Sequence, residues 1–163
     1  MVGSVLVDSV MLISTLLIVT AMLGVYTMNF SAMTDANRLQ VEKLRERLMT
    51  EIMITVVFYN PVNNKVVIYL KNVGSADVSH GDLTISDVYI ISQDRYIHLT
   101  YSSAPETGKW TYELLNDLNR DAKWGPGETT VITALIDRPL SSGSHKVMVV
   151  LKNGVSAEEV FST

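Results

Sequence analysis

From Ser9 to Thr34 the chain carries no charged side chain, and ahead of Ser9 the only one is Asp8. Every other Asp, Glu, Lys and Arg lies at Asp35 or beyond. A bilayer core about 30 Å thick is crossed by about 20 predominantly apolar residues in a helix. The run from Val10 to Tyr26, which continues apolar to Phe30 and Met33, meets that length. Ser14, Thr15 and Thr20 do not spoil the span, because a helical hydroxyl bonds back to a carbonyl one turn earlier. Tyr26 falls towards its end, where an interfacial aromatic is expected. A small domain cannot bury so long an uncharged helix. A cleaved secretory signal has a basic flank and a shorter apolar region, and no Lys or Arg precedes this run. The pattern predicts a retained single-pass anchor over residues 1–34.

One apolar block rules out a polytopic transporter. The net charge of −4 argues against a nucleic-acid partner. The absence of Cys excludes a disulfide-stapled secreted module.

Residues 35–51 read DANRLQVEKLRERLMTE, a helix-forming composition without Gly or Pro. Val41, Leu44 and Leu48 recur at spacings of three and four, with Ile52 continuing the row. A helical stalk with an apolar seam is expected here. The seam needs a partner: the following domain, a second copy or a related anchored protein. The bases after the span (Arg38, Lys43, Arg45, Arg47) would by the positive-inside rule hold the C-terminal domain in the cytoplasm.

From Ile52 the texture changes to short β-branched and aromatic runs separated by turn formers. These are Ile52–Tyr59, Lys65–Lys71, Leu83–Ile91, Arg95–Tyr101, Trp110–Leu115, Thr129–Ile136, His145–Leu151 and Val155–Phe161. Asn153-Gly154 is the signature of a two-residue hairpin turn. The expected fold is mainly β, an immunoglobulin-like antiparallel β-sandwich over residues 52–163. Val66, Ile68, Leu70, Val131, Ile132, Val147 and Val149 are the expected core.

The search for chemistry returns little. His80, His98 and His145 are far apart and match no metal-ligand spacing, so surface or strand-face roles are expected. The segment Asn116–Asp121 reads as a solvated loop and not as a calcium loop. No nucleophile motif or phosphate loop is present, so no enzyme activity and no cofactor are expected. A solute-binding module would have to build its site from Trp110 and Trp124. If Val66, Ile68 and Leu70 face inward, Val67 and Tyr69 face out. Tyr89 and Ile91 likewise oppose Val88 and Ile90. Outward apolar side chains on a sandwich mark candidate protein-interaction surface.

A pilin-like helix, a helical stalk and a cysteine-free sandwich, in this order, resemble the archaellum accessory proteins FlaF and its sister FlaG, relatives of the archaellins. Three local marks carry the resemblance. Leu70-Lys-Asn-Val-Gly-Ser75 is similar to the strand-ending turn of these domains, Gly125-Pro-Gly-Glu-Thr129 to their proline–glycine turn, and Asn153-Gly-Val-Ser156 to their final hairpin. Pilin-type subunits are processed after a glycine preceded by basic residues. Gly3 has none before it, although Asp8 is fifth counting from Ser4. The departure predicts a helix that stays anchored, FlaF-like first and FlaG-like second, rather than a filament subunit (archaellin or archaeal pilin). The resemblance further implies a sandwich between membrane and S-layer, against the charge rule. Its expected work is that of a stator: it binds S-layer protein and gives a rotary motor a fixed reaction point for swimming. The expected partners are S-layer protein and a second copy or the sister protein.

Overall fold

The computed structural model describes residues 2–163; Met1, where the expected anchor begins, lies outside the described residues. The chain divides into two compact units, residues 1–43 and 44–163.

Helix α1 runs unbroken from Val2 to Met49, so Asp35 does not start a new helix. It is long and apolar enough to cross a membrane. The hydroxyls of Ser14, Thr15 and Thr20 donate to the carbonyls of Val10, Met11 and Leu16, each at 2.8 Å. Thr27 and Thr34 do the same to Gly24 and Phe30 at 2.9 Å. Each of these five hydroxyls thus carries its own partner on the same helix.

The second unit holds the last turn of α1, a short helix and eight strands. These are β1 (Ile52–Asn60), β2 (Lys65–Asn72), α2 (His80–Thr84), β3 (Asp87–Ile91), β4 (Tyr96–Tyr101), β5 (Lys109–Leu114), β6 (Thr129–Leu135), β7 (Ser144–Val150) and β8 (Ser156–Ser162). Their order is β1-β2-β6-β5-β4-β3-β7-β8. Two antiparallel halves, β1-β2-β6-β5 and β4-β3-β7-β8, join only where β4 pairs β5. The outer strands β1 and β8 lie against each other, so the sheet is a nearly closed sandwich. The β4–β5 pair is parallel, which departs from an all-antiparallel sheet.

Strict alternation builds the core. Val66, Ile68 and Leu70 of β2 and Val88 and Ile90 of β3 are fully buried, with Trp110, Trp124, Leu99, Ile132 and Val147 between them. Burying a side chain of this size contributes roughly 1.5–3 kcal/mol, so packing can replace the missing disulfide. Val131 is half-buried and faces outward, because neighbours on a strand point to opposite faces and Ile132 takes the inner one.

Three features differ from the expectation. Leu83 sits in α2 and not in β3. Ser79 caps that helix, accepting from the Asp82 N–H at 3.2 Å and donating to the Asp82 carboxylate at 2.7 Å. Ile52 is buried at the start of β1, so the stalk seam ends at Leu48. The last hairpin is not a two-residue turn. The Gly154 N–H donates to Leu151 O, the Leu151 N–H donates to Val155 O, and only Gly154 has a positive φ, at 80°. This is a three-residue loop with glycine in the left-handed position.

The three sequence marks converge where the chain leaves α1. Asn72 is fully buried; its amide donates to Ala76 O at 2.9 Å and to Trp124 O at 3.0 Å, and its oxygen accepts from the Gly74 N–H at 3.0 Å. Its backbone pairs with the 125–128 turn through Asn72 N–H to Glu128 O and Gly127 N–H to Asn72 O. The turn after Asn72 then caps the end of α1. Ser75 and Ala76 donate to Met49 O, and Val73 and Gly74 donate to Glu51 O, at 2.8–3.0 Å. The Asn153 amide completes the collar by donating to the buried Thr50 hydroxyl at 3.0 Å.

Gly74 is where this collar is tightest. A Cβ there would stand 2.4 Å from Glu51 N and 2.6 Å from Met49 O. Overpacking of this kind costs about 1–3 kcal/mol. Gly74→Ala will therefore lower the thermal midpoint of the full chain in detergent, followed by the β signal in circular dichroism. Gly81→Ala, whose Cβ would meet nothing nearer than 3.9 Å, will not.

Candidate interaction surfaces

The polar residues singled out in the sequence are engaged in structure. His98 lies on the outer face of β4 and bonds Asp87 at 2.7 Å. His80 opens α2 and bonds the Tyr112 hydroxyl. His145 takes the strand-face alternative: it is buried on β7, with Nε2 on Ser141 O at 2.8 Å. Among the described residues no group of His, Cys, Asp or Glu is placed to hold a metal. In the 116–123 loop, Asp117 accepts from the Asp121 and Ala122 N–H groups, and Asp121 accepts from Lys123 N–H. These carboxylates hold their own loop. Trp110 and Trp124 are both fully buried, so they form no aromatic platform for a solute.

Glu128 is the functional-looking residue that sequence reading missed. It is buried, and its carboxylate accepts from the Leu118 and Gly125 N–H groups, both at 2.7 Å. Its place in a Pro-Gly-Glu turn gave no hint of burial. The two bonds identify it as the anchor of the long loop before β6.

The outward residues form two patches, not one. β2 and β3 stand on different halves of the sheet, separated by β6, β5 and β4. On the first half, Val67 and Tyr69 are half-buried and join exposed neighbours on β1: Phe58 opposes Val67 and Val56 opposes Tyr69. Phe58 and Val56 are 59% and 41% exposed. The rings of Phe58 and Tyr69 meet edge to face at 6.1 Å. Val131 extends the strip opposite Tyr69. A register shift at Thr55 makes this strip: without it Val56 would turn inward and Val57 outward. Lys65 and Lys71 of β2 lie at its ends.

On the second half, Tyr89 stacks on His98 with ring centres 4.8 Å apart and leans on Tyr96 at 5.3 Å. Ile91 lies opposite Tyr96 on one side and Lys146 on the other. Desolvation, then the charge of Asp87, then Tyr96 push the Tyr89 hydroxyl above the ordinary tyrosine pKa. The stalk seam is exposed throughout: Val41, Leu44 and Leu48 are 65%, 57% and 76% accessible. Leu44 and Leu48 belong to the sandwich's own compact unit, yet nothing in that unit covers them.

The chain thus joins a long apolar helix to a cysteine-free β-sandwich with apolar strips on its outer face. Residues 3–161 match the archaeal-type flagellin family, and the chain belongs to that family. An uncharacterized protein of Archaeoglobus fulgidus is 32% identical over 123 residues, 73% of each chain. Among solved structures, the archaellum periplasmic stator protein FlaG from Sulfolobus acidocaldarius matches with a TM-score of 0.55 and 26% identity. The match covers 69% of this chain and 99% of that one. A chain of the FlaF–FlaG stator complex from the same organism matches with a TM-score of 0.55 and 25% identity, covering 72% and 93%.

The Tyr89 patch can be read by titration. A tyrosine-ring NMR titration will show Tyr89 ionising above the ordinary value of 10.0. Asp87→Asn removes a negative neighbour of the phenolate and will move that ionisation down.

Proposed function

We propose that this chain is an archaellum accessory protein that works as a stator part. The observation that carries the reading is the match to FlaG, which takes in nearly all of that stator protein's solved chain. In this reading α1 anchors the protein as a single pass, and the sandwich lies between the membrane and the S-layer, which it binds. A helix in fluid lipid resists little torque. A sandwich tied to a crystalline coat supplies the fixed point a rotary filament needs. The collar around residues 49–51 suits this task, because load entering at the sandwich reaches the end of α1 through several backbone hydrogen bonds at once. The protein acts through binding and takes no cofactor. A filament-subunit role draws no support from these two solved relatives, both of which are stator proteins.

The Val67–Tyr69 strip, with Val56 and Phe58, is the proposed contact for the sister accessory protein. The solved FlaF–FlaG complex supports a pairing of this kind. The Tyr89–Ile91 patch is proposed to face the S-layer. Val41, Leu44 and Leu48 line the stalk against the same sister chain or a second copy. Several weak contacts on one anchored partner add through effective concentration.

Two experiments test this. Tagged full-length protein recovered from native cell envelopes will co-purify S-layer protein, and protease added to intact cells with the S-layer removed will cut the sandwich. Protection of the sandwich, or recovery free of S-layer protein from an intact envelope, overturns the reading. Phe58→Ser combined with Tyr69→Ser will weaken capture of the sister protein by about tenfold or more, as loss of an aromatic anchor does. The thermal midpoint will change little, because both side chains point away from the core.

A further inference from the structure

The sheet is nearly closed, yet it has one opening in its middle. β4 runs from Tyr96 to Tyr101, but only Thr100 and Tyr101 find partners on β5, namely Lys109 and Trp110. Tyr96–Leu99 therefore have β3 on one side and no strand on the other. A cleft of about 840 Å³ opens along that side, bounded opposite by Gly108 and Asp137–Pro139.

The register shows which groups the cleft receives. The Ser92 N–H donates to Arg95 O at 2.9 Å, which closes the β3–β4 hairpin. Antiparallel alternation then turns the main-chain groups of Ile97 and Leu99 towards β3 and those of Tyr96 and His98 towards the cleft. Donors and acceptors spaced two residues apart along an open edge are the pattern another extended chain completes. Exposed edges are normally blunted by Lys, Pro or a covering loop; here Tyr96 and His98 line the cleft on the β4 side, and Arg138 and Pro139 stand across it without pairing to β4. Gly108 on the opposite rim has nothing within 4 Å of where a Cβ would stand, so that rim is clear.

Arg95 fixes the width. Its guanidinium crosses to the far rim, donating to the carbonyls of Arg138 and Pro139 and meeting Asp137 at 3.5 Å. Asp137 also pairs with Arg138 at 3.3 Å. Asp94 accepts from the Ser92 hydroxyl at 2.7 Å, which together with the Asp94 backbone N–H holds its carboxyl below the usual range. The lining acids Asp94 and Asp137 thus balance Arg95 and Arg138.

We propose that the cleft beside Tyr96–Leu99 binds an extended, uncharged segment of a partner protein, which adds to β4 as a strand held by main-chain hydrogen bonds. The inference stands apart from the stator reading. It requires only that some partner offer an extended segment, and it concerns a different surface from the Val67–Tyr69 strip.

The test uses the full chain, 15N-labelled, in detergent micelles. The probes are blocked hexapeptides of alternating Val-Thr and of alternating Leu-Ser. Amide shifts should cluster at Tyr96–Leu99, Gly108, Asp137 and Arg138, and exchange of the Tyr96 and His98 amides should slow at least tenfold. Raising salt from 50 to 500 mM should leave the affinity within twofold, since the lining charges cancel. The same peptides N-methylated at alternate amides should not bind. His98→Pro removes a cleft-facing N–H and should abolish binding, whereas His98→Ala keeps it. If His98→Pro does not fold, the N-methylated peptides still decide. No shifts at millimolar peptide, shifts elsewhere on the sandwich, equal binding of the N-methylated peptides, or strong salt dependence would each overturn the proposal.

Discussion

The primary amide of Asn72 is the contact on which the rest of the sandwich's helix-proximal end depends. It is fully buried, and it satisfies Ala76, Trp124 and Gly74 while its own backbone binds Gly127 and Glu128. A buried polar group left unpaired costs about 1–3 kcal/mol, so a network like this tolerates little rearrangement. One side chain thereby orders the 73–76 turn, which caps α1, and the 124–128 turn, which carries Glu128. Glu128 in turn holds the loop at Leu118. Sequence segments that share nothing locally are linked through one amide.

Much of this fold was legible because alternation is a local property. Lys65–Lys71 shows which residues face in, and the structure places Val66, Ile68 and Leu70 inside. Seven of the eight expected strands begin and end within a residue or two of the observed ones, a consequence of turn formers marking their limits. Leu83–Ile91 was the exception, although Ser79-x-x-Asp82 is a helix-capping pattern visible in the sequence. At Val131 and Ile132 two neighbouring β-branched residues invite both into a core that has room for one. The two outer strips were legible as outward residues, but not as separate surfaces, because strand order is a non-local fact. The register shift at Thr55, the buried carboxylate of Glu128 and the gap beside β4 all depend on partners far away in sequence. No window of residues around them carries the information.

The two outer strands β1 and β8 lie against each other without a hydrogen-bonded ladder, which shields edges that in an open sheet would template aggregation. A module that must display apolar strips outside its sheet gains from this arrangement. It presents side chains, which can be selective, while keeping most of its backbone occupied. The sheet's single parallel junction, only two residue pairs long, is where that occupation lapses inside the strand order.

The self-bonded hydroxyls of α1 carry a consequence for how the helix behaves among other helices. In lipid, Ser and Thr commonly act as adhesive between helices by donating across the interface. Here Ser14, Thr15, Thr20, Thr27 and Thr34 already direct their hydrogens to their own backbone. In the anchored arrangement proposed above, these five hydroxyls therefore offer a neighbouring helix their lone pairs and no free hydrogen.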